Sequence, residues 1–564
     1  MRRGLLITLA LLLALPASAL AHATLEASTP ARGAVARTQP AQVVLRFDEP
    51  VEGNFGAVRL FDARGERVDD GHVVHPGGRG ALLAVGLKPR LAPGTFTATY
   101  RVISADSHPV SGGFVFSIGK AGAAPAQTVG DLLGGSSAGR VTEVAFGVAR
   151  GADYLAIALL LGTLLFGLLA WGPGAAAAGA PDAAGTAFAR RSGKLLIAGL
   201  GIGLVAGAAG IVLQGATAAG TSFWSALDPG TVREVLGTRF GTVWGLRLAD
   251  LAVLGAVLAT FGPRRPLAWA LPAALLAITP ALGGHATTQH PVALLAPLDV
   301  AHVVAMSAWI GGLVVLLVAV PAATRAVPPA ARSVLLGGVV SRFSTVALAA
   351  VATLLATGVA QSIVHLRAFD DLLHTAFGRA VLIKVVLVAA LVGLGAVNRQ
   401  RSIPRLRALA REGAAPGVAG RLLRSTLRAE VALVVVALGV TAALVSYAPP
   451  SALSAGPFSH SARTGPLQVE LTVDPARTGA NAVHLYLFRA SDGAPFAGTK
   501  ELTVDASLPD KGIGPLMATV HRAGPGHYVA DAMVLAPAGH WRLRVTDRVS
   551  DFDEYTTTFA VPVR

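Results

Sequence analysis

Not one of the 564 residues is cysteine. Disulfides, thiolate metal sites, c-type haem attachment and cysteine nucleophiles are thereby excluded. Methionine is almost as scarce, with four copies at Met1, Met306, Met517 and Met533. Metal chemistry here must therefore rely mainly on histidine, carboxylates and amines. Charge is thin as well. Only 14% of residues are charged and 53% are hydrophobic, whereas a soluble globular chain carries about 25% charged residues. That shortfall points to a membrane. No G-x-x-x-x-G-K-[ST] loop occurs, which argues against ATP as a partner. Acidic residues are outnumbered, 32 against 47 basic ones, for a net charge of +15. Such an excess can mark nucleic-acid binding. The arginines sit mainly between apolar runs, however, where lipid topology accounts for them, and no nucleic-acid partner is expected.

The chain is too long for one ordinary domain. Residues 1–21 read as a secretory signal: Arg2 and Arg3 lead, residues 4–15 are apolar, and Ala19-Leu20-Ala21 is a small-residue cleavage site. Cleavage there leaves His22 as the first mature residue. A solvated terminus and a metal ligand are both open for it at this stage.

Residues 22–120 alternate in short segments, "QVVLRF" (42–47), "GAVRLF" (56–61), "TFTATYRVI" (95–103) and "GFVFSI" (113–118), punctuated by Pro, Gly and Asp. This is the pattern of an antiparallel β-sandwich or barrel. Residues 121–142 read as a linker. Between 143 and 448, eight apolar segments are long enough to span a bilayer. They lie near 145–171, 194–219, 244–262, 267–283, 297–321, 342–364, 380–397 and 429–448. With an exported N-terminal domain, the intervening loops 172–193, 263–266, 322–341 and 398–428 are cytoplasmic. Each carries basic residues, and the last holds Arg399, Arg401, Arg405, Arg407, Arg411, Arg421, Arg424 and Arg428. The distribution obeys the positive-inside rule. Eight spans return the C-terminus to the outside. After a second linker (449–464), residues 465–564 again alternate as strands, in a second small β-sandwich.

The cluster "SADSHPVSG" (104–112) places Asp106 and His108 two residues apart near a strand end, where a period of two puts both on one face. Cu(II) favours nitrogen and oxygen donors in a tetragonal plane. The α-amine and Nδ1 of His22, an Asp106 oxygen and a His108 nitrogen would complete such a plane. A D-x-H pair is also what an ordinary surface offers.

Taken with "HATLEASTPARGA", "VVLRFDEPVE" and "SADSHPVSGGFVFSI", residues 22–119 resemble the copper resistance protein CopC. The resemblance implies a cupredoxin- or Ig-like sandwich with a Cu(II) site. Carried over by position, its ligands are His22, Asp106 and His108. Some members of the family hold Cu(I) in a Met-rich segment. No Met lies between 2 and 305 here, so that second site is expected to be missing. His72 and His75 read as loop residues rather than ligands.

Polar groups inside spans are costly and mark function. In the segment 283–313, His285 and His290 fall at the outer end of spans four and five. Asp299, His302 and Met306 recur at three and four residues on span five, which places them on one helical face. Imidazole with thioether suits a transient copper station. Helix packing through polar bonds and the Gly311-Gly312 pair is the competing account. The stretches "GHA" (284–286), "DVAHVVAMSAWIGGL" (299–313), "SRFSTVALAAVATLLATGV" (341–359) and "FGRAVLIKVVLVAALVGLGAVNR" (377–399) resemble CopD, the integral-membrane partner of CopC. That resemblance implies movement of copper across the membrane, as import. Lys384 snorkels to the interface, pairs with a polar group or joins the pathway, and His365 and His374 are candidate entry ligands. The stretch "GPGHYVADAMVLAPAGHWRLRV" (524–545) is similar to YtkA-like or FixH-like β domains. Its histidines His484, His521, His527 and His540 lack tight spacing, so a structural or docking role is expected.

No catalytic constellation emerges, and the chain is read as a non-enzyme. Two alternatives stay open. One is sequestration outside the membrane with delivery to a copper chaperone or an oxidase-assembly partner. The other is a membrane redox protein. A bis-His haem needs two facing intramembrane histidines, and only His302 clearly qualifies.

Overall fold

A computed structural model describes the chain except residues 1–22, 24, 32–33, 56, 106–108, 121–131, 133–137, 285–286, 288–290, 366–370, 447–457, 475, 492–495, 525 and 564. It divides into two compact units. One is helical, spanning 139–216 and 222–451. The other gathers the two β regions together with Thr217–Thr221.

Among the described residues, eight helices are long and apolar enough to cross a membrane: α1 Val141–Ala177, α2 Asp182–Ala219, α3 Arg239–Phe261, α4 Pro266–Gly283, α5 Val292–Arg325, α6 Ala331–Val364, α7 Phe377–Arg411 and α8 Gly417–Ala442. The number matches the eight apolar segments of the sequence. Several helices run longer than those segments. In α7 the helix continues from the apolar run into 398–411, because arginine is a good helix former and the chain has no reason to unwind where the lipid ends. Pro280 lies inside α4, a position that membrane helices tolerate when neighbours satisfy the freed backbone groups.

The two most enclosed helices are α1 and α5. They sit between two cores. On one side Phe166, Trp309 and Leu313 pack with Val339, Phe343, Leu406 and Leu423 of α6, α7 and α8. On the other, Ile157, Leu160 and Val303 pack with Leu251, Leu254, Trp269 and Leu276 of α3 and α4. The helices meet at glycines. A Cβ on Gly311 would collide with the Ala158 carbonyl oxygen, and one on Gly162 with the Ser307 carbonyl oxygen. Only glycine permits that approach.

In the β unit, the N-terminal region contains β1 Leu25–Thr29, β2 Val35–Ala36, β3 Gln42–Phe47, β4 Val51–Glu52, β5 Val58–Asp62, β6 Asp69–Val74, β7 Leu82–Leu87, β8 Gly94–Ser104 and β9 Pro109–Ile118. They form one sheet of order β1-β3-β7-β6 and a second of order β2-β9-β8-β4, with β5 also paired to β8. Alternation drives this. In β3, Val43, Leu45 and Phe47 enter the core while Gln42 and Arg46 stay exposed.

The C-terminal region contains β10 Phe458–Thr464, β11 Leu467–Asp474, β12 Gly479–Arg489, β13 Glu501–Leu508, β14 Ile513–Ala518, β15 His521–Gly524, β16 His527–Leu535, β17 Gly539–Arg548 and β18 Glu554–Val563. Its sheets run β10-β11-β12-β16-β15 and β14-β13-β17-β18. Trp541, Leu543 and Val545 of β17 fill the space between them. Several strands depart from alternation. Among them, β9 is buried continuously from Gly113 and β12 from Val483 to Phe488. Such burial means cover on both faces. Val115, Tyr486 and Phe488 supply it by packing together, so the outer faces of the two sandwiches meet.

Candidate functional site

The best-defined polar centre is in the bundle, where α5, α6 and α7 converge. His302 Nδ1 lies 2.7 Å from Thr357 Oγ1. The Thr357 hydroxyl donates to the Thr353 carbonyl at 2.7 Å. A hydroxyl both gives and accepts, so Thr357 holds Nδ1 in either tautomer; with the ring hydrogen on Nδ1, the Nε2 lone pair is left as a donor for a metal. One turn earlier on α5, Asp299 Oδ1 accepts from Gln361 Nε2 at 3.3 Å. Lys384, on α7, stands within electrostatic range of both Asp299 and His302. Met306, one turn beyond His302, is partly buried against both helical cores. The next residues, Ser307–Gly311, form a π-helical turn, an irregularity that often accompanies functional positions.

Three residues of one predicted face therefore do not act alike. Asp299 accepts from Gln361, His302 is held by Thr357, and Met306 borders the packing core. Among the described residues, no group of three or more His, Asp or Glu is arranged to hold a metal ion. His285 and His290 lie outside the described residues, as do His22, Asp106 and His108. The flanks of the last three are described. β8 ends at Ser104 and β9 starts at Pro109, paired with Ile103. Ala23 is buried in the N-terminal core. The Ala105 amide donates to Glu49 Oε1 at 3.3 Å.

Other histidines find ordinary places. His72 lies in β6, not in a loop, and is exposed. His75 Nδ1 bonds the Leu82 carbonyl at 2.7 Å. His365 ends a helix, and His374 lies in the short helix Asp371–His374. His540 is exposed on β17. In the N-terminal sandwich, Asp69 is buried, yet its carboxyl is held below the usual range. Desolvation opposes this, but the Arg67 guanidinium and the Leu60 and Gly71 amides outweigh it.

One polar centre went unnoticed in the sequence. Arg247 of α3 and Asp153 of α1 form an ion pair at 2.5 Å, both almost fully buried. Arg247 Nε also donates to Thr279 of α4 at 2.8 Å, and its guanidinium lies 4.9 Å from the Trp244 ring. The available signal was one acidic and one basic residue, each inside an apolar run.

Eight long apolar helices carried with β-sandwiches are the architecture of a multi-pass membrane protein. Comparison with known families sharpens this. The CopC domain matches residues 25–119. The Copper resistance protein D-like N-terminal domain matches 141–294, and Copper resistance protein D matches 337–444. The chain is thus a CopC–CopD fusion of the copper transport and resistance group. The chain is 28% identical to Copper transport protein CutJ of Bacillus subtilis over 584 residues, covering 99% of this chain and 98% of that protein. Protein YobA of Escherichia coli is 31% identical over 98 residues, 17% of this chain and 79% of YobA. Among solved structures, CopC from Methylosinus trichosporium OB3b aligns at 26% identity over 17% of this chain and 93% of that one, with a TM-score of 0.16. PcoC from Escherichia coli aligns at 24% identity over 17% of this chain and 99% of that one, also with a TM-score of 0.16. The matched families are copper transport and resistance proteins rather than enzymes.

Proposed function

We propose that this protein captures Cu(II) outside the cell membrane and carries copper inward, contributing to copper homeostasis and resistance. His22, Asp106 and His108 form the capture site. His285, His302, Met306 and Asp299 line the membrane route. The observation that carries the reading is the anchoring of His302, whose Nδ1 is held at 2.7 Å by Thr357 of the neighbouring helix, which leaves Nε2 as the ring's other donor position.

Both β domains face the outside. Two observations support that placement. They belong to one compact unit joined through Val115, Tyr486 and Phe488, which supports a common side for both. The arginine-rich 398–428 segment fits a cytoplasmic loop by the positive-inside rule. CutJ, similar over nearly its whole length, is named a copper transport protein.

Two measurements test this reading. The first is Cu(II) titration of full-length protein with a native His22 terminus against protein retaining one extra N-terminal residue. Equal affinities would remove the capture site. The second is copper accumulation in cells expressing His302→Ala. Wild-type accumulation in that variant would remove the route. Vesicles that bind copper without moving it would turn the reading to sequestration and delivery to an oxidase-assembly partner.

A further inference from the structure

The covered outer face of the C-terminal sandwich carries a second histidine centre. On β12, Val483, Leu485 and Leu487 point into the sandwich core, so His484, Tyr486 and Phe488 share the other face. On β16, His527 and Val529 share it, with His527 in register with Tyr486 and Val529 with His484. His484 Nδ1 and His527 Nε2 point at each other across 3.3 Å. The rings are 5.6 Å apart and nearly parallel at 19°. Both are more than nine-tenths buried, at 8% and 7% exposure. Tyr486 stacks on His527 at 4.5 Å. Glu470, also buried, stands in register with Tyr486 on β11 and completes the row.

We infer that His484 Nδ1 and His527 Nε2 form a two-coordinate site for a monovalent, low-coordination copper ion, Cu(I). Two ring nitrogens aimed at each other can share one proton or one cation. Metal–imidazole bonds of about 2.0 Å would set the nitrogens about 4 Å apart in a linear pair. The strands need to open by less than about 1 Å. The donor count selects the ion. No third His, Asp or Glu converges among the described residues, so four-coordinate Zn(II) and tetragonal Cu(II) are short of ligands. A single positive charge is also less costly to bury than a double one, and Glu470 on the same face offsets it.

Binding involves no redox change. The proton shared between the two rings moves to the other nitrogen of the ring that carried it, and both facing lone pairs then hold the ion. His521, exposed on edge strand β15 and in register with Val529, stands at the rim of the same face.

The site is independent of the transport reading. The test is anaerobic Cu(I) titration of purified full-length protein against bicinchoninate, with Ag(I) as a redox-inert second probe. His484→Gln and His527→Gln are each expected to lose one monovalent equivalent while keeping Cu(II) capacity. His302→Ala is expected to keep that equivalent. Unchanged Cu(I) and Ag(I) stoichiometry in both glutamine variants would overturn the site. Should those variants misfold, X-ray absorption of Cu(I)-loaded His302→Ala protein decides. Two-nitrogen coordination supports the site, and a higher coordination number or no retained Cu(I) overturns it.

Discussion

His302 and Thr357 tie α5 to α6 through a 2.7 Å bond, and that bond holds the imidazole ring in place. The consequence is separable from mere presence of a ligand. Thr357→Val keeps the imidazole and removes only the group that orients it. Loss of such an orienting partner typically costs 10–100-fold in metal affinity. Copper uptake by cells expressing Thr357→Val is expected to fall about tenfold or more, and Thr357→Ser to restore it. His302→Ala is expected to abolish uptake. Uptake in Thr357→Val equal to wild type would mean that the bond to Thr357 does not matter.

The Asp153–Arg247 pair leads to an asymmetric prediction. Removing one partner leaves a charge in a site with almost no solvent, at about 3–5 kcal/mol. Arg247→Leu is expected to unfold in detergent well below the wild type. The double variant Asp153→Leu, Arg247→Leu is expected to recover most of that loss, because two apolar side chains have no charge to desolvate. The check is the thermal midpoint of purified protein. A double variant no better than the single would show that Arg247 acts through Thr279 and Trp244 rather than through Asp153.

The close approach of α1 and α5 is tested at Gly311. The obstacle to a Cβ there is backbone, the Ala158 carbonyl, and backbone inside two enclosed helices has nowhere to go. Gly311→Ala is expected to destabilise the bundle by about 1–3 kcal/mol. Gly393, whose added Cβ would meet nothing nearby, serves as the control for the change of residue itself. Size-exclusion profiles and thermal midpoints of Gly311→Ala and Gly393→Ala distinguish the two.

Periodicity was a good guide to elements and a poor one to partners. Apolar length alone predicted eight spans, and the alternation of "QVVLRF" predicted β3, because both signals are local. The packing of His302 on Thr357 joins residues 55 apart, and nothing in the spacing of either helix announces it. The C-terminal histidines show the same limit more sharply. His484 and His527 are 43 residues apart, and their spacing in sequence led to an expected structural or docking role. Strand register makes them diagonal neighbours on β12 and β16, a fact held by strand order, not by any motif. The expected Cu(II) ligands His22, Asp106 and His108 were legible from their donor types and the resemblance to CopC, and they lie outside the described residues.

Asp547 makes the stability of the C-terminal sandwich depend on pH. It is buried on β17. Among the described residues, its Oδ1 has no hydrogen-bond partner, and Oδ2 accepts from Thr499 at 3.2 Å. Burial raises its carboxyl from 3.8 to about 6, against a smaller opposing effect of the Thr499 bond. The folded state therefore holds this proton more tightly than the unfolded chain. Its contribution to stability is fully present below about pH 4 and is lost as pH rises through about 6. Asp547→Asn fixes the neutral form. Relative to wild type, the variant is expected to be more stable at pH 7.5, with the difference shrinking steadily toward pH 4.5. Taking the difference cancels other titrating groups common to both proteins, His527 among them. Hydrogen-exchange protection of the Gly539–Arg548 strand reads the sandwich locally in the intact protein. A difference that stays constant between pH 7.5 and 4.5 would show that Asp547 is charged in neither state or equally charged in both, and that its buried oxygen has found a partner.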